Sequence, residues 1–409
     1  MLRYWLWLTS LSRLNNQIRL VLLHRFATPE EVFLAGEEEL RQVEGLSGEQ
    51  IAEILLHDLS EADRILDDCQ RLNQRVLTIQ DAEYPNRLRN IYDPPCLLYV
   101  KGRLPVVDEE AAVAVVGTRK STPYGISCAG RLAFDLASCG APVVTGLARG
   151  GDTAAAVGAL RAGGTVIGVT GNGLDYIYPP ENQRLYEDVA AAGALLSEYP
   201  PGTEPNPRHF PVRNRILSGL SVAVLVVEAP VRSGTLITAR LALEQGRDVF
   251  AVPGPIDAPS SAGCLELLEE GAGVGAKAWH ILREYEARFP DKLHPAGRSR
   301  RSPDPIPARP KPAPAPVKTR EKPPAPEEAP GTGEEPALIK VTAERLTDDQ
   351  IALLGILEVR TPKQIDDLIQ QSGIPTRRVL SALTVMEIDG LVRQHSGKRY
   401  TRMAVLADA

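Results

Sequence analysis

The chain has 409 residues, of which 43% are hydrophobic, and its 46 basic and 52 acidic residues give a formal net charge of −6. This length predicts two or three domains, and the apolar fraction is sufficient for sizeable cores. The acidic balance excludes a protein that binds nucleic acid through overall positive charge, so any such site must be a local cluster of Arg and Lys.

Cysteine usage and hydropathy exclude further classes of protein. The five cysteines form no CxxC pair and have no His at ligand spacing, so we expect neither a disulfide framework nor a metal site. The sequence shows no apolar stretch of the ~18 residues that a membrane span needs. The first 13 residues resemble a buried helix more than a signal peptide. We therefore expect a cytoplasmic protein without a membrane partner.

Residues 1–70 have apolar residues at helical spacing, with a glycine turn at 43–48. Short amphipathic helices around such a turn resemble a SAM-like or helix-hairpin-helix module. Modules of this kind can hold DNA phosphates on backbone N–H groups. Here Glu37, Glu38, Glu39 and Glu44 surround the turn, which favours a packing role.

Residues 75–290 change to short, Val-rich apolar runs separated by helical stretches. Such runs are typical of strands whose two faces are both covered by helices, which predicts a Rossmann-like, doubly wound α/β domain. The predicted strands are Ala112–Val116, Pro142–Thr145, Thr165–Thr170, Ser221–Val227 and Asp248–Val252.

Two further regions complete the chain. Residues 291–338 have proline at every second or third position of their centre and few apolar residues, which predicts a disordered linker. Residues 339–409 regain helical periodicity. This periodicity predicts three helices, which cover Leu346–Glu358, begin at Thr361-Pro362, and cover Thr376–Asp389. Two predicted strands follow, at Leu391–Gln394 and Arg399–Arg402. That order predicts a winged helix.

Glycine-rich segments follow four of the predicted strands, at 117–125, 146–152, 171–173 and 233–235. Each glycine alone is explained by a tight turn between strand and helix. Together the segments meet at the carboxyl edge of the sheet, where backbone N–H groups and helix N-termini attract anions. The sequence therefore predicts a phosphate site there, formed by Gly117, Thr118, Arg119, Lys120, Arg149, Ser233, Gly234 and Thr235.

The segment 210–215 precedes the fourth strand and combines Phe210 with Arg213, Asn214 and Arg215. Two interpretations are open. Arginines beside an aromatic ring suit backbone phosphates and a stacked base. Alternatively, the segment is a turn in which Asn214 caps a helix and Phe210 belongs to the core.

Sequence motifs for catalysis and cofactors are missing. The chain has no GxSxG, HExxH or SxxK, no Walker loop, and no GxGxxG after the first predicted strand. Asp152, at an expected helix N-cap, and Glu228, at a strand end, have no partner visible in the sequence. We therefore expect a binding protein without a cofactor rather than an enzyme.

The ordered motifs over 110–272 resemble the DNA processing protein A (DprA/Smf) family. The segments that carry this resemblance are 115–120, 145–152, 178–182, 197–202, 210–215, 233–239 and 251–254. The flanking SAM-like and winged-helix regions fit the same family, so the resemblance covers nearly the whole chain.

This resemblance implies an extended Rossmann domain that binds single-stranded DNA, forms a homodimer and helps load the RecA recombinase in natural transformation. It implies that Arg119 and the backbone of Gly117 and Thr118 hold a phosphate, with Phe210 stacking on a base. The chain departs from the family pattern at Ala156, where a His is usual, and at Leu265, where an Asn is usual. Both departures remove polar groups that we expect near the edge of the site.

Two other function classes stay open. The fold also resembles lysine-decarboxylase-like nucleotide hydrolases, but their motif has a Glu shortly after the Thr, and here the first acid after Thr235 is Glu244. A transcriptional regulator could act through the winged helix. Its recognition helix offers Arg377 and Arg378 but also Glu387 and Asp389, which weakens major-groove binding.

Overall fold

The computed structural model describes residues 1–295, 339–342, 346–359, 361–395 and 399–407. The chain divides into two compact units, Met1–Pro307 and Ala308–Ala409. Residues 296–338, most of the predicted linker, lie outside the described residues. The predicted N-terminal and Rossmann-like regions both belong to the first unit, and the predicted domain bounds stay predictions.

The N-terminal part of the first unit is helical. Its helices are α1 (Leu2–Ser10), α2 (Asn16–Phe26), α3 (Pro29–Leu34), α4 (Glu37–Arg41), α5 (Gly48–Ile54) and α6 (Ser60–Arg71). Asn15, Thr28 and Ser47 cap three of them by accepting a backbone N–H on their side-chain oxygen.

Residues 75–274 contribute nine strands to one sheet. The strands are β1 (Arg75–Thr78), β2 (Leu97–Gly102), β3 (Val113–Val116), β4 (Val143–Thr145), β5 (Val166–Thr170), β6 (Ala194–Ser197), β7 (Ala223–Val226), β8 (Asp248–Ala251) and β9 (Gly273–Val274). Their order is β1-β2-β6-β5-β4-β3-β7-β8-β9. The seven strands from β6 to β9 are parallel, and β1 and β2 extend the sheet antiparallel.

Helices cover both faces of this sheet. They are α7 (Asn86–Arg89), α8 (Pro123–Ser138), α9 (Gly151–Arg161), α10 (Gln183–Ala192), α11 (His209–Gly219), α12 (Gly234–Glu244), α13 (Ala262–Glu269) and α14 (Ala278–Leu282). Val113 and Val115 pack in the cluster that contains α8 to α10, whereas Ala114 and Val116 pack in the cluster that contains α11 to α13. The predicted doubly wound sheet is thus confirmed, and alternate side chains of β3 pack against the helix layers on opposite faces of the sheet.

The N-terminal helices share a core with the sheet. Trp7 and Leu22 belong to the same apolar cluster as Tyr99 and Val113. At the rim of this contact, Asn16 on α2 donates from Nδ2 to the Asp93 carboxylate at 2.7 Å. The helical region is therefore packed onto the sheet rather than tethered to it.

The second unit has the predicted winged-helix order. Its elements are β10 (Ile339–Thr342), α15 (Asp348–Ile356), β11 (Lys363–Gln364), α16 (Ile365–Ser372), α17 (Thr376–Ile388), β12 (Val392–His395), β13 (Arg399–Arg402) and β14 (Ala404–Ala407). The middle helix begins at Ile365, not at the predicted Thr361-Pro362. The reason is that Lys363 and Gln364 form backbone pairs with β13, which holds them extended.

Candidate nucleic-acid interface

A pocket of about 460 Å³ opens at the carboxyl edge of the sheet, beside the adjacent strands β3 and β7. The connection after β3 runs to one face of the sheet and the connection after β7 runs to the other face. This position is therefore the topological switch point of a doubly wound sheet. Loops and helix ends from four parts of the chain therefore converge there. The pocket is lined by Val116, Gly117, Thr118, Arg119, Ala148, Asp152, Pro207, Phe210, Pro211, Arg213, Asn214, Leu217, Pro230, Ser233, Gly234, Thr235 and Thr238.

Two glycines let the loops after β3 and β4 touch at the backbone. A Cβ on Gly151 would lie 2.8 Å from the Cα of Gly117, closer than atoms can pack. The Gly117 N–H donates to Oδ1 of Asp152 at 3.1 Å. The loop after β3 is therefore fixed against the start of α9, and Thr118 and Arg119 follow it along the pocket wall.

Glu228, which ends the β7 segment, holds the other end of this loop. Its two carboxylate oxygens accept from the N–H and Oγ1 of Thr122, both at 2.8 Å. A Cβ on Gly125 would lie 2.1 Å from Oε2 of Glu228, so this glycine leaves room for the carboxylate. The buried Glu228 thus orders the loop that carries Arg119.

Arg119 and Phe210 form a cation–π pair at the pocket wall. The Arg119 Cζ lies 4.8 Å from the centroid of the Phe210 ring. That ring lies 5.5 Å from the Tyr178 ring and packs on the backbone of Gly171, where a Cβ would approach it to 3.1 Å. Arg119 is exposed and Phe210 is half-buried. The pair offers a free guanidinium beside a partly open aromatic face.

Asp152 and Arg213 are buried neighbours on the pocket floor that interact electrostatically without a direct hydrogen bond. Arg213 donates from Nη1 to the carbonyl of Gly146 at 3.0 Å and also to the carbonyl of Val169. Burial raises the pKa of Asp152 to about 6, against the opposing effects of Arg213 and of backbone N–H donors including that of Gly117. Burial likewise lowers the pKa of Arg213, the neighbouring Asp152 opposing it. This arginine supports the floor through carbonyl contacts.

The N-terminus of α12 forms the opposite wall. Ser233 is the cap residue, and Gly234 and Thr235 begin the helix, where backbone N–H groups lack helical partners. The Ser233 Oγ is buried and, within the described part of the chain, has no hydrogen-bond partner. Asn214 on α11 donates to the Gly234 carbonyl at 3.4 Å. This wall presents donors, as an anion site requires.

The pocket brings together most of the predicted site residues, but three lie outside its lining. Lys120 is exposed on the loop after Arg119. Arg149 pairs with Glu181 at 2.5 Å on the surface. Arg215 is buried, where it contacts Asp93 at 2.8 Å and Glu198 at 2.7 Å.

The predicted use of both Arg213 and Arg215 for phosphate does not fit their surroundings. Residues 209–219 form a helix, and side chains two apart on a helix point in nearly opposite directions. Arg213 accordingly turns to the pocket floor, and Arg215 turns toward two carboxylates on the other side. Asn214 lies inside this helix and does not cap it.

Several other expectations at the site are corrected. Asp152 is the second residue of α9, after the cap Gly150, so it does not act as the N-cap. Ala156 is fully buried in the apolar core, and neither it nor Leu265 lines the pocket. Neither position therefore contributes a side chain to the pocket wall in this chain.

Two further residues of the site, Asp152 and Thr238, were not predicted from the sequence. Both are polar and buried, and both line the pocket. A signal for Asp152 was available, because an acid directly after two glycines, in the connection from a strand to a helix, is placed to accept backbone N–H groups. Thr238 had no such signal, since it lies in the fifth position of a helix.

Across the described ranges, no group of three or more His, Cys, Asp or Glu side chains is placed to hold a metal ion. The helices found in those ranges are too short or too polar to cross a membrane.

Two family models match the chain. The model for DNA recombination-mediator protein A matches residues 75–286, and the model for the DprA winged helix domain matches residues 321–398. The first match covers the whole sheet and every residue of the pocket, and the second overlaps the winged helix.

Similar proteins and structures agree with these models. Protein Smf of Synechocystis sp. is 34% identical over 411 residues, covering 98% of each chain. DNA processing protein DprA of Streptococcus pneumoniae is 43% identical over 222 residues, which are 54% of this chain and 73% of that protein. The X-ray structure of DNA processing protein A from S. pneumoniae superposes with a TM-score of 0.62 at 36% identity, covering 69% of this chain and 98% of that one. The chain therefore belongs to the family of DNA recombination-mediator protein A.

Proposed function

We propose that the pocket at the switch point binds single-stranded DNA. The observation that carries this proposal is the Arg119–Phe210 pair beside the open N-terminus of α12. A free guanidinium and helical N–H groups suit phosphates, and the partly exposed ring suits an unpaired base. A duplex hides its base faces, so the ring favours single strands.

The proposal extends to the biological role. We infer that the protein is a homodimeric, cytoplasmic recombination mediator that protects incoming single strands and helps load RecA in natural transformation. Support comes from the family name and from the relatives called DNA processing proteins. Sedimentation of the full chain, alone and with RecA and oligo-dT, tests the homodimer and the RecA contact.

We also propose that the protein is not an enzyme. The two carboxylates nearest the pocket are already engaged: Asp152 accepts the Gly117 N–H, and Glu228 accepts from Thr122. The hydroxyl that donates to Glu228 belongs to Thr122, which caps α8, and neither of these two residues lines the pocket. Turnover of nucleotides or DNA that is lost in Asp152→Asn would overturn this proposal.

A binding experiment tests the single-strand assignment. We would compare the affinity of the full chain for oligo-dT and for a duplex of equal length, in wild type and in Phe210→Ala. Loss of a stacked base should weaken single-strand binding by about 1–3 kcal/mol, roughly 5- to 160-fold. Duplex binding should change little.

The control is Tyr92→Ala, which removes a 90% exposed ring outside the pocket. Using a strand short enough to fill the pocket alone, this control should bind like wild type. Equal affinity of the wild type for single strands and duplex would refute the assignment. Thermal unfolding of each variant separates a binding defect from a folding defect.

A further inference from the structure

A second concave surface lies between α8 and α9, on the other side of the loop 148–152 from the pocket. This groove, of about 790 Å³, is lined by the outer faces of the two helices and by the surface around Glu181. Three arginines line it, namely Arg131, Arg149 and Arg161, against the single carboxylate of Glu181. Its charge is therefore opposite to that of the chain as a whole.

The shape of the groove follows from close helix packing. A Cβ on Gly158 would lie 2.1 Å from the Gly130 carbonyl oxygen, so glycine at 158 lets α9 approach α8 at the backbone. Small residues at this crossing leave a shallow floor, and longer side chains rise at the rims.

The rims carry unpartnered cations and exposed apolar side chains. Arg131 and Arg161 are exposed, and neither forms an ion pair with a carboxylate in the described ranges. Phe134, one helical turn from Arg131, is 42% exposed, and Ile126 is 46% exposed. An aromatic beside an arginine repeats the chemistry of the pocket, where Arg119 lies over Phe210.

The groove and the pocket adjoin each other through one loop. Ala148 and Asp152 line the pocket, whereas Arg149, Gly150 and Thr153 line the groove. Gly150 lies against the loop that carries Arg119, since a Cβ there would come within 2.4 Å of the Thr118 carbonyl oxygen. The groove is therefore the next concave surface that a strand leaving the pocket past this loop would meet.

We propose that single-stranded DNA bound in the pocket continues over Gly150 into this groove. Arg131 and Arg161 contact its phosphates there, and Phe134 offers a face to a base. The inference rests on the proposed function of the pocket. The excess of positive charge and the continuity with the pocket favour a polyanion over a protein partner.

The test measures how the affinity of the full-length protein for single-stranded DNA depends on the length of the DNA strand. We would titrate oligo-dT of about 5 and about 15 nucleotides, within the site sizes known for single-strand binders. The variants are the double substitution Arg131→Ala/Arg161→Ala and the matched control Lys101→Ala/Arg103→Ala. The control removes the same charge at the opposite edge of the sheet, where Gly102 pairs with Ala194 at the start of β6.

Wild type should bind the longer strand more tightly, and the double variant should lose this gain while binding the short strand normally. Removing two phosphate contacts should lower the salt slope for the longer strand by about 1.4, at ~0.7 per phosphate on single strands. Across a fourfold rise in salt concentration, the affinity of the double variant for the longer strand should therefore fall about sevenfold less than that of wild type. The control should behave as wild type.

Each other outcome has a distinct meaning. If wild type binds neither strand, the proposed function of the pocket fails. If it binds both strands but the double variant keeps the full length dependence, the pocket stands and the groove proposal is overturned. The groove then serves another partner, such as an acidic protein segment.

Discussion

At the scale of single residues, the direction in which an arginine leaves its backbone decides its role. Arg119 leaves an exposed loop and contacts Phe210. Arg213 turns into the sheet edge and donates to carbonyls, and Arg215 turns toward Asp93 and Glu198. One of the three is available to a ligand, one supports the pocket floor, and one joins α11 to its surroundings.

We therefore expect Arg119→Ala and Arg215→Ala to fail in different ways. Arg119→Ala should weaken binding of single-stranded DNA and change the free energy of unfolding by no more than about 0.5 kcal/mol, as is usual for surface sites. Arg215→Ala leaves two part-buried carboxylates without their cation and should cost about 3–5 kcal/mol of stability. Urea unfolding and a titration with oligo-dT measure both quantities. Normal DNA binding by a folded Arg119→Ala variant would contradict the assigned role.

Asp152 should give the protein a pH-dependent stability. Its pKa in the folded chain is about 6 because of burial, above that of an unfolded Asp. The folded form therefore binds this proton more tightly. The resulting stabilisation is fully present below about pH 4 and is lost as the pH rises through about 6. Within this window the free energy of unfolding should fall by at most about 1.4 kcal/mol per pH unit.

Urea unfolding of wild type and Asp152→Asn between about pH 4 and pH 7 measures this effect. The stability of wild type relative to the variant should decrease with rising pH across that window and level off above it. A constant difference would show that Asp152 titrates normally in the folded chain.

At the scale of elements, the crossing of α8 and α9 depends on glycine at positions where helix propensity favours other residues. In a helix interior, Ala is more favourable than Gly by about 0.8–1.0 kcal/mol. At Gly158 this gain is opposed by the contact that a Cβ would make with the Gly130 carbonyl oxygen at 2.1 Å. At Gly355 in α15, a Cβ would meet nothing within 4 Å.

Substitution by Ala at these two glycines should therefore change the free energy of unfolding in opposite directions. Gly158→Ala should destabilise the first unit by about 1–3 kcal/mol, as overpacking does. Gly355→Ala should stabilise the second unit by up to about 1 kcal/mol. Thermal unfolding followed by circular dichroism checks both. Stabilisation by Gly158→Ala would show that the helices separate without cost and that the groove between them is adaptable.

At the scale of the whole molecule, every residue of the pocket and of the groove belongs to the unit Met1–Pro307. We expect a fragment of residues 1–307 to bind oligo-dT within a few-fold of the full chain. Loss of binding by this fragment, with its fold intact by circular dichroism, would move the site to the second unit.

A shorter fragment should behave differently. Removing residues 1–74 exposes core side chains that pack on Trp7 and Leu22, and leaves Asp93 without Asn16. We expect residues 75–307 alone to unfold at lower temperature than residues 1–307. Equal unfolding temperatures would show that the N-terminal helices add no stability to the sheet.

The sequence by itself determined the class of the fold and the edge of the sheet at which the pocket opens. The Val-rich runs predicted all of the central parallel strands from β3 to β8 except β6, because strands buried on both faces leave a continuous apolar signature. Glycines after those strands predicted Gly117, Thr118 and Arg119 at this edge, and all three line the pocket. Strands β1, β2 and β6 are poorer in Val and β9 has only two residues, and none of these four was predicted.

The tertiary structure decided which polar side chains are available. Arg213 and Arg215 look alike in the sequence, but a helix through residues 209–219 sends them to different partners. Asp93 and Glu198, which neutralise Arg215, come from distant segments that no local pattern relates to it. The same holds for the pairing of Arg119 with Phe210, since two residues far apart along the chain meet through the packing of loops at the sheet edge. Periodicity and turn chemistry act over a few residues, whereas burial and charge pairing depend on contacts across the whole chain.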